Sequence, residues 1–257
     1  MTTSDGMQYH VKVKPGDVGR YILLPGDPGR VETIAGYLDE PHFVSSNREH
    51  TVYTGSLLGE KVSVVSTGMG CPSTAIAVEE LIAVGADTFI RVGTSGAMQP
   101  EIQVGDIAIV TGAIRHEGTT PQYLPIEFPA IANHQLVNAL VAGAQKLGYD
   151  YHLGVSHTKD NFYGEIEMER MPLANELKSL WNAWVAGGAV CSEMEASAIF
   201  ILASIHRKRA GGVMTIVGSD TETLKAKRYS SDAMIEVAVE AIKLMIQADK
   251  GLKEQAN

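Results

Sequence analysis

Short apolar runs that stop at glycine recur along this chain, and amphipathic stretches fill the intervals between them. That alternation constrains the fold more than any other feature. Tyr21–Leu24 stops at Pro25-Gly26, Lys61–Ser66 runs into Thr67-Gly68, and Thr88–Val92 stops at Gly93; each reads as a strand. Thr51–Leu58 and Lys61–Ser66 read as a hairpin around Gly59-Glu60, and Asp106–Thr111, Tyr151–His157 and Gly212–Val217 as further strands. Helical spacing appears over Ser73–Val84, where Ala77, Leu81 and Val84 recur behind a Pro-Ser-Thr start, and over His134–Leu147, Met194–His206 and Ser231–Ala248. Strands alternating with helices specify an α/β fold: a central mixed, largely parallel twisted sheet with helices on both sides. The 257 residues fit one such domain over 1–257 and are tight for two, and no repeat, low-complexity block or linker divides them.

Several function classes fall away. The formal net charge of −9 argues against a broad nucleic-acid face, although a few arginines brought together could still hold a small anion. The first nine residues have neither the basic nor the apolar segment of a secretory leader, and no apolar run is long enough for a bilayer, so a cytoplasmic protein is expected. Cys71 and Cys191 are too few for a disulfide framework and lack metal-type spacing. Walker A, G-x-G-x-x-G, G-x-S-x-G and H-E-x-x-H patterns are all missing.

In an α/β sheet ligands bind beyond the carboxyl ends of the strands. Three of those ends are glycine-rich here: Pro25-Gly26-Asp27-Pro28-Gly29-Arg30, Thr67-Gly68-Met69-Gly70 and Gly93-Thr94-Ser95-Gly96. Glycine lets backbone N–H groups converge on an anion, and arginine offers planar paired donors suited to phosphate. Any one such turn is also what an ordinary strand end carries. Arg91 breaks that reading: a guanidinium inside the run Phe89-Ile90-Arg91-Val92 is costly to bury unless an anion or carboxylate meets it. The segment Ser192-Glu193-Met194-Glu195, at the start of an apolar helix, reads either as a cap or as a carboxylate gripping sugar hydroxyls.

Taken in order, these segments resemble the nucleoside phosphorylase family, and within it the uridine phosphorylase-like group. The matching residues are Leu24-Pro25-Gly26-Asp27-Pro28-Gly29-Arg30, Asn47-Arg48-Glu49-His50-Thr51, Ser66-Thr67-Gly68-Met69-Gly70-Cys71-Pro72-Ser73, Ala77-Val78-Glu79-Glu80-Leu81, Arg91-Val92-Gly93-Thr94-Ser95-Gly96, Glu127-Phe128-Pro129-Ala130, Phe162-Tyr163-Gly164 and Glu193-Met194-Glu195. The resemblance implies phosphorolysis of an N-glycosidic bond with inorganic phosphate as co-substrate and no cofactor. It implies a phosphate site of Gly26, Arg30, Arg91 and Thr94, with Arg48 supplied by a neighbouring subunit. It places Glu195, with Glu193 and Met194, on the ribose, His10 on a neighbour's 5′-hydroxyl, and Phe162 against the base. It implies a monovalent-cation site at Glu49, Ser73 and the Met69 backbone, and a homo-oligomer, usually a hexamer built as a trimer of dimers.

The base pocket departs from the pattern. Uridine phosphorylases carry a glutamine and an arginine after the Phe-Tyr pair, whereas this chain has Gly164-Glu165-Ile166-Glu167-Met168-Glu169-Arg170, so Glu165 and Arg170 stand as the candidates. An ionised carboxylate accepts hydrogen bonds and donates none. Gly218-Ser219-Asp220 resembles the Ser-Asp of hexameric purine nucleoside phosphorylases, in which the aspartic acid protonates the purine; as a bare sequence it also reads as a helix cap. Uridine stays first among substrates, with a purine nucleoside as the alternative. A nucleoside hydrolase and a non-catalytic nucleoside-binding protein are the remaining readings, and the three arginines speak against the hydrolase.

Overall fold

A computed structural model describes residues 2–3, 6–218 and 229–256, with backbone alone for 253–256. Its strands are β1 (Tyr21–Leu24), β2 (Asp39–Asn47), β3 (His50–Leu57), β4 (Glu60–Val65), β5 (Thr88–Ala97), β6 (Ile107–His116), β7 (Ala130–Ile131), β8 (Tyr151–Lys159), β9 (Cys191–Glu193) and β10 (Arg209–Ile216). The helices are α1 (Val31–Ala35), α2 (Cys71–Ala83), α3 (His134–Leu147), α4 (Tyr163–Ile166), α5 (Ala174–Ala186), α6 (Ala196–Ile205) and α7 (Asp232–Ala256). All ten strands join one mixed sheet. At its centre β1 runs parallel to β4 and β5, and β5 parallel to β10. The hairpin β3–β4 and the outer pair β2–β3 are antiparallel.

β5 organises the sheet. Its first part pairs with β1 and β10, and its last residues pair with β9, with Gly96 opposite Ser192. Because β10 pairs β6, β6 pairs β8, and β8 pairs β9, the strands close a ring that returns to β5. Among the described residues each of these five strands is paired with two ring neighbours, and the two-residue β7 adds to β6 outside the ring. The opposite edge, β2, is mostly exposed and carries Pro41 at a register shift, where a missing N–H costs no ladder bond.

Strand alternation divides the core in two. Ile22, Leu24, Phe89, Ala108 and Val110 face α2 and α6, while Tyr21, Leu23, Ile90, Ile107 and Ile109 face α1, α3 and α7. α6 is apolar on all sides, as a helix buried within a layer must be. Arg91 shares the parity of Phe89, so its side chain leaves β5 on the α6 side, where the residues leading into α6 can meet it.

Candidate active site

The loops at the carboxyl ends of β1, β4, β5 and β8 surround a cavity of about 530 Å³. Arg30, Arg91, Thr94, Phe162, Glu165 and Glu195 all line it, as do Gly26, Glu49, Met69, Glu193 and Met194. Of the predicted phosphate residues, Gly26, Arg30, Arg91 and Thr94 therefore share one space with the predicted sugar clamp.

Arg91 is 4% exposed and forms the hub. Its Nε donates to Glu193 Oε2 at 2.9 Å and its Nη2 contacts Glu195 Oε2. Nη1 is buried with no hydrogen-bond partner among the described residues. That atom lies 3.8 Å from where a Cβ on Gly26 would be, so the free donor faces the first glycine loop. Gly93 is required beneath the same group, since its Cβ would come within 2.9 Å of the guanidinium carbon. Burial works against the Arg91 charge, but Glu195 and Glu193 outweigh it and hold the group above its ordinary value.

The two carboxylates divide their work. Glu193 Oε2 accepts from the backbone N–H groups of Glu195 and Ala196 at 2.8 and 2.9 Å, capping α6 while it orients Arg91. Its other oxygen accepts from Thr158 Oγ1. Glu195 Oε1 accepts from the Gly70 N–H at 2.7 Å, and burial pushes its carboxyl above the usual range against the pull of Arg91. Glu195 is thus fixed from two sides at the cavity wall, and Glu193 supports it from behind.

Arg30 enters from the short 3-10 turn Pro28–Arg30, which Asp27 caps by accepting from Gly29 N–H at 2.8 Å. Phe162 lines the same cavity half-exposed. Glu165 is nearly buried, its Oε2 accepting from Ser192 Oγ at 2.5 Å and pairing with Lys159 Nζ at 2.6 Å. Lys159 is a cavity residue that the sequence reading missed. The signal was available in principle, because the lysine closes a strand at the carboxyl edge, but a lysine before Asp160-Asn161 looks like an ordinary polar loop start.

Other candidates lie elsewhere. Arg170 does not line the cavity: it pairs with Glu167 on the surface and lies over the Tyr163 ring at 5.0 Å. It sits in a three-residue turn after α4 that directs it outward, which sequence spacing from Phe162 could not reveal. Arg48 is exposed at the β2–β3 turn, and His10 is tied to Glu80, with Nδ1 2.8 Å from Oε1. Neither lines the cavity, yet the two are linked, since Asn47 Nδ2 donates to the His10 carbonyl at 2.7 Å. Asp220 lies outside the described residues. At the implied cation site Ser73 Oγ donates to Glu49 Oε1 at 2.8 Å and also contacts the Thr67 carbonyl, and the Ser73 bond holds Glu49 below the usual range. A carboxylate, a hydroxyl and carbonyls are oxygen donors of the kind a hard cation takes, so the residues fit. Among the described residues no cluster of three His, Cys, Asp or Glu side chains could hold a metal, and no helix is long and apolar enough to cross a membrane. Cys71 Sγ reaches the Met194 carbonyl at 3.3 Å, and burial pushes both cysteine thiols up, Cys191 to about 12, so neither is poised as a nucleophile.

The carboxyl edge of this α/β sheet thus presents a free buried guanidinium donor, which an anion could accept from, beside a held carboxylate, which hydroxyls could donate to. The sequence profile of the Phosphorylase superfamily matches residues 20–249, and the chain belongs to that family. It is 47% identical to a uridine phosphorylase of Treponema pallidum, over 96% of this chain and 97% of that one. A uridine phosphorylase of Thermococcus kodakarensis is 43% identical over 99% and 92%. A guanosine phosphorylase of Halorubrum lacusprofundi is 37% identical over 93% and 95%.

Proposed function

We propose that this protein is a uridine phosphorylase, splitting uridine with inorganic phosphate into uracil and ribose 1-phosphate. The unpartnered Arg91 Nη1, facing the Gly26 loop in the same cavity as Glu195, carries this reading. Phosphate would sit against Arg30, Arg91 and Thr94, with the Gly26 loop beneath it. Glu195 would take the ribose 2′- and 3′-hydroxyls, and Phe162 the face of the base. Held there, one phosphate oxygen is aligned with C1′, which supplies the proximity term. The phosphate charge also stabilises the positive charge that grows on the ribose as the C–N bond stretches.

The cavity argues for a neighbour. Its walls carry three cations, Arg30, Arg91 and Lys159, against five carboxylates, Asp27, Glu49, Glu165, Glu193 and Glu195. A phosphate dianion needs more positive charge than one subunit provides. Arg48 is exposed beside Glu49 on the β2–β3 turn and joined through Asn47 to His10, so both can reach a partner's cavity together. The assembly is then an oligomer, a hexamer of paired subunits, with Glu49, Ser73 and the Met69 carbonyl holding a monovalent cation between partners. The setting is cytoplasmic nucleoside salvage, with nucleoside and phosphate as the substrates, the cation in a structural role and no cofactor.

A purine substrate is the second reading. Glu165, a carboxylate, occupies the base end where a glutamine would suit uracil, and one relative is a guanosine phosphorylase. The decisive experiment follows base release from uridine, thymidine, inosine, guanosine and adenosine with and without phosphate. Phosphate-dependent release with formation of ribose 1-phosphate, fastest with uridine, is expected. Equal release in phosphate-free buffer would make the protein a hydrolase, tight binding without release a nucleoside-binding protein, and a faster purine would replace uridine.

A further inference from the structure

The base end of the cavity holds a buried cation that no step so far has used. Lys159 closes β8 and exposes 5% of its surface, a position that is costly for an ammonium without partners. It has two: Glu165 Oε2 at 2.6 Å and Ser192 Oγ at 2.7 Å. An ammonium has three N–H bonds, so one is left over, and Lys159 lines the cavity that Arg91 and Glu195 share.

The strand register aims this group. Ser192 on β9 lies between Gly96 of β5 and His157 of β8. Its hydroxyl donates to Glu165 at 2.5 Å and accepts from Lys159, while His157 Nδ1 sits 3.1 Å away. Glu165 Oε1 comes within 3.0 Å of where a Cβ on Gly96 would be, so only glycine leaves it room. Gly93 underlies Arg91 and Gly96 underlies Glu165. Both glycines belong to the carboxyl end of β5, and the two groups they make room for line one cavity.

We propose that Lys159 is a catalytic residue whose spare N–H meets a carbonyl oxygen of the departing base, with Glu165 and Ser192 as the positioning residues that aim it. The proposal rests on the phosphorolysis reading. As the C1′–N bond breaks, its electron pair passes to the base, and a phosphate oxygen forms the new bond to C1′. In a base whose carbonyl is conjugated to the leaving nitrogen, that charge spreads onto oxygen. An ammonium fixed at that oxygen in a pocket shielded from water stabilises the transition state more than the ground state. The charge is met before a proton arrives, and the released base takes its proton from solvent. Bases with such a carbonyl, including uracil, thymine, hypoxanthine and guanine, are the substrate class, and adenine is outside it.

The test compares Lys159→Met with wild type on two leaving groups. The pair is uridine and 5-fluorouridine or, for a purine-acting enzyme, guanosine and 7-methylguanosine, whose base leaves without net negative charge. With the ordinary nucleoside kcat falls about 100-fold; with the better leaving group it falls less than about tenfold, and KM for phosphate is unchanged. An equal loss on both nucleosides, or no loss, overturns the assignment. Should Lys159→Met fail to fold, wild type alone decides: adenosine turned over within about tenfold of the best carbonyl base overturns it, and a larger gap supports it. Wild type that releases no base with phosphate removes the phosphorolysis reading and this proposal together. Wild type that does so while Lys159→Met shows equal losses removes this proposal alone.

Discussion

Two charged clusters lie at opposite ends of β5, and they differ in what is left over. At the amino end Arg209 donates to Asp249 through two bonds of 2.8 and 2.7 Å and to Thr88 Oγ1 at 3.0 Å. Tyr21 donates to the same Asp249 at 2.7 Å, and Arg20 to Asp87 at 2.9 Å. These partners bond one another across three strands and α7. At the carboxyl end Arg91 is held as firmly by Glu193 and Glu195, yet Nη1 stays buried and unmatched among the described residues. A buried donor without a partner costs about 1–3 kcal/mol, a cost that persists only where something else offsets it. The amino-end cluster is a fastening. The carboxyl-end cluster is a fastening that leaves a guanidinium donor free among the described residues.

The sharpest way to break this contrast is Arg91→Ala against Arg30→Ala. Removing Arg91 takes away the free donor and also the guanidinium that holds Glu195, so phosphate use and nucleoside binding should fail together. We expect kcat/KM to fall by about 1,000-fold, with KM raised for both substrates. Among the described residues Arg30 has only a loose partner, Asp27 at 3.9 Å, and its loss should fall on phosphate alone, by about 100-fold. Steady-state kinetics with each substrate varied separately tests the difference. An Arg91→Ala enzyme with normal nucleoside KM would show that Glu195 does not depend on Arg91.

The same contrast explains what could be read from the chain. Arg91 stood out because a guanidinium in an apolar run violates strand patterning, and such a violation is local. Glu195 and the glycine turns each have an ordinary local reading, as a helix cap and as strand ends, and stand out only through their order along the chain. Lys159 broke no local rule, and its burial comes from β9, which is three residues long, polar, and set between β5 and β8 by pairing alone. β2 was hidden because an exposed edge strand with Pro41 has no apolar alternation, and α5 because none of its residues is buried. The strands Tyr21–Leu24 and Thr88–Val92 and the helices at α3 and α6 were legible because each buries a continuous apolar face. Closure of the sheet through β5, β10, β6, β8 and β9 is a long-range property that no segment of the chain encodes.

The amino-end cluster gives the complementary prediction. Arg209→Ala should leave the carboxyl end intact and strip Asp249 of its two strongest bonds. Arg209 holds Asp249 down to about 2, and their side chains are 17% and 14% exposed. A partly screened pair of this kind should cost about 2 kcal/mol of stability, below the range for a fully buried one. Chemical denaturation should show the loss, while kcat/KM per folded molecule stays within about twofold. A variant of full stability and reduced activity would reverse the roles assigned to the two ends.

The smallest effect concerns acid, and it arises where the Lys159–Glu165 side of the cavity meets a second space of about 390 Å³ lined by His116, His157 and Trp184. His157 stacks on Trp184 at 4.1 Å, and its two ring nitrogens face Ser192 Oγ and His116 Nδ1, each at 3.1 Å. Burial, with Lys159 and His116 beside it, pushes His157 down to about 3. The unfolded chain binds this proton near the ordinary histidine value, about 6.5, whereas the folded protein refuses it until about pH 3. Between those limits the unfolded state carries more protons, so stability falls as pH falls. From pH 7.5 to 5.5 the His157 share of that loss is about 1 kcal/mol. His157→Gln keeps a polar side chain near Ser192 and cannot titrate, so its stability should decline less steeply over the same interval, whatever its absolute value. Parallel slopes for variant and wild type, measured by urea unfolding across that range, would mean that His157 takes up its proton in the folded protein as readily as in the unfolded chain, and that the base end of the cavity is wetter than its packing indicates.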